Sequence, residues 1–196
     1  MNRILLLLSI VIFSSFTSKP KSYQDALNQL FFGIQMNYAS PTFVGDFKKH
    51  PLLWYEQPVV KRSLEATVAM NDPEATSVTY EFKMKEDPIS TIKATAGKIE
   101  LSVASFNKKE KIIGLNWQMS VETAAEAQEF YKALVEHFGD YCEITSREKE
   151  ADELQSAVFI SKETAPEGMK QLSVLITKSI NGTGYDIFIV PGSSFV

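Results

Sequence analysis

A period of two runs through four successive stretches of this chain, and it leaves few folds open. Leu64, Ala66, Val68 and Met70 alternate with polar or small neighbours. Val78, Tyr80, Phe82 and Met84 repeat the pattern, then Ile99, Leu101 and Val103, then Ile113, Leu115, Trp117 and Met119. Successive side chains of a strand point to opposite faces, so such alternation predicts strands with one buried and one wet face. The turn 71–74 and the connection 107–111 join them into an antiparallel meander. Four further strands are expected over 141–146, 156–162, 172–178 and 185–190, the last two joined by the turn Asn181-Gly182-Thr183-Gly184.

Two segments instead carry the helical period. Tyr23, Ala26, Leu27, Leu30, Phe31 and Ile34 share one face behind a capping Ser22, with Asp25 three residues on, and the helix runs no further than Ser40-Pro41. Ala124, Ala127, Tyr131, Leu134, Val135 and Phe138 form a second apolar face, with Ser120 as the expected cap and Gly139 as a left-handed stop. Between the first helix and the strands, residues 39–63 show no clean period but hold Phe43, Phe47, Trp54 and Tyr55 among three prolines. They read as a long aromatic strap. The expected fold is therefore α+β: an antiparallel β-sheet covered by two amphipathic helices. The order of elements invites a division into two α-then-β-meander halves, 22–119 and 120–196, echoed weakly by the phrases Val44-Gly45-Asp46-Phe47 and Phe138-Gly139-Asp140-Tyr141.

The first 18 residues have the layout of a signal peptide: Arg3, an apolar run over 4–13, then small polar residues that allow cleavage after Thr17 or Ser18. The run is short for a permanent span. An uncleaved anchor is the alternative. Without the leader, residues 19–196 make a single domain, expected to be secreted or periplasmic, with no stable membrane span.

Charge excludes some functions. Lys and Arg total 20 against 24 Asp and Glu, and losing Arg3 shifts the net charge from −4 to about −5. Such mild acidity fits no nucleic-acid footprint. The basic runs Lys48-Lys49-His50, Lys61-Arg62 and Lys108-Lys109-Glu110-Lys111 read as solvated loops. One cysteine and two histidines fit no usual zinc arrangement, and no spaced acidic loop suits calcium, so no metal or other cofactor is expected. Acidic residues around 72–74 and 148–153 fall in turns, where solvation keeps carboxylates ordinary. No phosphate loop or nucleophile elbow is present.

His137 and Cys142 lie five positions apart with Asp140 between them. A thiol enzyme would need an accessible, acidified sulfur within reach of its base. Cys142 shares a strand face with Ile144 and reads instead as a small core residue. No catalytic residue is assigned. The expected function is a non-catalytic binding module whose ligand site is built from Phe43, Phe47, Trp54 and Tyr55, taking a protein or an apolar small molecule. The alternatives are a small thiol enzyme using Cys142 and His137, and a structural component of an envelope assembly.

Overall fold

The computed structural model describes residues 19–37, 42–55, 60–63, 76–92, 94–106, 109–146, 153–165, 169–180 and 182–192. The chain is α+β, and among the described residues it has three helices and one antiparallel sheet. The helices are α1 (Tyr23–Leu30), α2 (Phe43–Lys49) and α3 (Ala124–Phe138). The strands are β1 (Leu53–Tyr55), β2 (Val60–Ser63), β3 (Thr76–Met84), β4 (Ala96–Phe106), β5 (Lys109–Val121), β6 (Cys142–Ser146), β7 (Glu153–Ser161), β8 (Gln171–Lys178) and β9 (Tyr185–Pro191). Their order is β1-β3-β4-β5-β9-β8-β7-β6, and β2 pairs with the other end of β3, so β1 and β2 share one edge position. Both halves are meanders, and they meet where β5 and β9, the last strand of each, pair antiparallel. The expected strand over 64–70 and the turn after it lie outside the described residues.

One lateral row shows how alternation builds the core. Tyr55, Phe82, Ile99, Trp117, Ile189, Val174, Ala157 and Ser146 stand opposite one another from β1 to β6. The six interior members are buried, while Tyr55 is half-buried and Ser146 exposed. Helices α2 and α3 each touch this face through an aromatic contact, and α1 touches α3. Phe47 of α2 meets Phe82 at 5.4 Å, Phe130 of α3 stacks on Trp117 at 5.2 Å and 15°, and Tyr23 of α1 meets Phe138 at 6.1 Å. Tyr23 also donates its hydroxyl to the Met169 carbonyl at 2.6 Å.

Several local expectations change. Ser22 does cap α1, accepting from the Asp25 amide at 3.1 Å, but the helix ends at Leu30. Phe32 and Gly33 follow at φ 60° and 78°, and Asn28 holds the reversal by accepting from Gly33 N at its carbonyl and from Met36 N at its side chain. α3 is capped by Thr123 and not Ser120: Thr123 and Glu126 form a reciprocal capping box, whereas Ser120 lies in β5 and donates to Asp186 at 2.6 Å. Gly139 is right-handed at φ −60°. Its constraint is steric, because a Cβ there would sit 2.6 Å from the Val135 carbonyl oxygen. The strap contains helix α2, with two short strands after it.

Candidate aromatic edge site

Strand β1 has only three residues, too few to hold a position by ladder bonds alone, so its anchoring comes from the turn before it. His50 ends α2 and packs its ring against Phe32 at 5.6 Å. Its Nδ1 accepts from Leu52 N at 3.3 Å, and Leu53 N donates to the His50 carbonyl at 3.1 Å. Burial lowers the His50 pKa, partly offset by a hydrogen bond to the Phe32 backbone. A non-glycine residue in the left-handed region costs roughly 1 kcal/mol, and Phe32 sits there with its ring buried against this histidine. Lys85 completes the anchor, donating from its amide to the Leu52 carbonyl at 3.1 Å and from Nζ to the Pro51 carbonyl at 2.6 Å.

Alternation along this pinned strand then places three side chains differently. Leu53 is buried, Trp54 is 59 % exposed and Tyr55 is half-buried. Trp54 starts the lateral row on the sheet's other face, opposite Lys83 and then Lys98, Gln118 and Phe188. On that face Lys98 bridges Glu81 and Glu100 at 3.2 and 2.7 Å, which offsets the repulsion of two carboxylates standing directly opposite each other. The two carboxylates raise the Lys98 pKa against the opposing effect of burial.

The four aromatics expected to share one site are divided. Phe43 and Phe47 stand four residues apart on α2, hence on one helix face. Both are fully buried, touching each other at 5.2 Å. Trp54 and Tyr55 reach the surface on opposite faces of β1. Two residues outside the predicted site join Tyr55 instead. Tyr80 lies 6.0 Å from Tyr55, and Lys48 places Nζ over both rings, 4.3 Å from the Tyr80 centroid and 5.1 Å from that of Tyr55. Burial raises the Tyr80 pKa, with the charge of Glu110 adding to it. Tyr80 was hidden by its place in a strand's apolar period, and Lys48 by its place in a basic run. Their meeting depends on the long-range pairing of β1 with β3.

The pair that raised the prospect of thiol chemistry is differently employed. Cys142 is buried, and burial pushes its thiol pKa up to about 12, the reverse of what a nucleophile needs. His137 is hydrogen-bonded through Nε2 to the Ala26 carbonyl at 3.0 Å, tying α3 to α1, and burial lowers its pKa. The most displaced carboxyl is Asp87, raised to about 6 by burial despite bonds from the Ile89 amide at 3.0 Å and from Ser90. Among the described residues no group of three or more His, Cys, Asp or Glu could hold a metal ion, and no helix is long and apolar enough to cross a membrane. No protein-family model, curated protein or solved structure matches the chain.

Proposed function

We propose that the chain is an exported, non-catalytic binding module that meets its ligand or protein partner at the β1 edge. One observation carries this reading: Trp54, the largest side chain type available for contact, is 59 % exposed on an edge strand pinned by His50 and Lys85. An exposed indole has a cost in water that a contact surface removes, and a rigid support reduces the ordering that binding requires. The half-buried Tyr55 beside it extends the aromatic surface around the edge. Export rests on the leader-like layout of residues 1–18, and the buried, alkaline Cys142 favours the non-catalytic reading over a thiol enzyme. The same reading takes α1 and α3 as the amphipathic cover of the sheet's inner face. It also takes 22–119 and 120–196 as related halves, a relation favoured by the antiparallel meeting of β5 and β9.

The test is retention on a panel of immobilised glycans, peptides and lipids, comparing the native chain with Trp54→Ala and Cys142→Ala. Retention should be lost or weakened at least tenfold in Trp54→Ala and kept in Cys142→Ala, a tenfold loss corresponding to about 1.4 kcal/mol. Equal retention by both variants would remove the β1 edge from the account. Turnover of a panel member that disappears in Cys142→Ala would replace the binding reading with the thiol enzyme.

A further inference from the structure

Lys48 is exposed, yet among the described residues no carboxylate pairs with it. Its ammonium lies over two rings, 4.3 Å from the Tyr80 centroid and 5.1 Å from that of Tyr55. Both distances fall within the roughly 6 Å over which a cation is attracted to the electron-rich face of an aromatic ring. The two rings stand 6.0 Å apart and are inclined at 50°, so they form a wedge, not a flat stack. Behind the wedge lies Phe82, fully buried, 5.4 Å from Tyr55 and 6.5 Å from Tyr80. The rings are thus set by the core, while the cation is carried on a long, flexible chain from the surface. Glu110 adds a negative charge close enough to influence the Tyr80 phenol, and Lys48 stands in the last turn of α2, where free carbonyls favour a cation.

We propose that Tyr55 and Tyr80 form a binding site for small organic ammonium ions, and that Lys48 is a built-in occupant displaced when such an ion binds. This deepens the binding-module reading and rests on it. The inference supplies a ligand class for the inner side of the β1 edge, where two inclined rings match a compact positive charge clothed in methyl or methylene groups. Lys48 then sets a threshold: a ligand cation must outcompete a tethered one. Removing the tethered ammonium should raise affinity without creating any new contact.

The experiment titrates the full chain with tetramethylammonium chloride at constant ionic strength, following the upfield ring-current shift of the methyl protons by NMR. Lys48→Ala should bind about tenfold more tightly than the native chain, the scale expected for losing a competitor held by two rings. In the Lys48→Ala background, Tyr80→Phe should retain binding. Tyr80→Leu and Tyr55→Leu, each of which deletes one ring, should each abolish it, with the emission of buried Trp117 reporting that the core is intact. Identical shifts in the native chain, Lys48→Ala and the two leucine variants would overturn the proposal, as would no binding by Lys48→Ala. A response to N-acetyl-lysine methylamide alone would assign the rings to a lysine of a protein partner and overturn the small-ligand site. Failure here alongside Trp54-dependent retention on the panel breaks this inference alone. Cation binding that needs Tyr55 and Tyr80, alongside panel retention unchanged in Trp54→Ala, removes Trp54 from the binding reading and leaves this inference standing.

Discussion

The chain's two tryptophans occupy opposite extremes of one sheet. Trp117 lies on central strand β5, fully buried and stacked on Phe130 of α3. Trp54 lies on edge strand β1 and is 59 % exposed. Both sit within strands of alternating orientation, so local pattern does not separate them. What differs is lateral position: β5 has a strand on either side and a helix above its inner face, whereas Trp54 points to the other face of the outermost strand. The same side chain stabilises the fold in one place and is left available for contact in the other.

The sharpest way to break this comparison is to truncate each side. Phe130→Ala deletes the ring stacked on Trp117 and should cost roughly 3–5 kcal/mol in urea unfolding, while Trp54→Ala should stay within about 0.5 kcal/mol, as expected of an exposed position. Equal costs would mean that Trp54 is a structural residue.

Asp87 offers the next effect, in the β3–β4 connection on the Trp54 side of the molecule. Its folded pKa of about 6 is above the ordinary carboxyl value of 3.8, so the folded state favours the protonated form. The stability it contributes is complete below pH 3.8 and is lost as pH rises through 6. Asp87→Asn should therefore stabilise the chain at pH 7 by about 3 kcal/mol and confer no such gain at pH 3.5, as read by denaturant midpoints at both values. The histidines act in the other direction. His50 and His137 have lowered pKa values, so their contribution is present above pH 6.5 and is lost as pH falls through their folded values. If His50 pins β1, acidification should raise amide hydrogen exchange at Leu52 before it does so in β5.

A smaller loss than that of Phe130→Ala is expected elsewhere on the central side. Thr123→Ala removes half of the capping box and should cost about 1 kcal/mol, seen as a lower urea midpoint with an unchanged slope. A loss above that from Ser120→Ala with none from Thr123→Ala would return the cap to Ser120.

Much of the sheet was legible because alternation is a local signal. Phe82, Ile99, Leu101, Trp117 and Met119 all fall on the buried face their spacing predicts. The cap of α3 was misread as Ser120, although Thr123 with Glu126 satisfies the Ser/Thr-to-Glu spacing that Ser120 does not. Phe130, by contrast, was missing from the predicted helix face although it lies three residues after Ala127 and four before Leu134. The short helix α2 was hidden among Pro41, Gly45 and Pro51, because seven residues show barely two turns of periodicity. The candidate site was half legible. Trp54 and Tyr55 could be chosen for chemistry, but neither the burial of Phe43 and Phe47 nor the meeting of Tyr55, Tyr80 and Lys48 follows from spacing. These depend on how β1 pairs with β3, some thirty residues away in sequence.

Acrylamide quenching of tryptophan emission, recorded for the native chain and for Trp54→Phe with and without the ligand selected on the panel, tests the central claim most directly. The account predicts one accessible and one protected tryptophan in the native chain, only the protected one in Trp54→Phe, and shielding of the accessible one when ligand is added. An accessible Trp54 whose quenching is unchanged at saturating ligand would contradict it, because the contact would then lie elsewhere on the molecule.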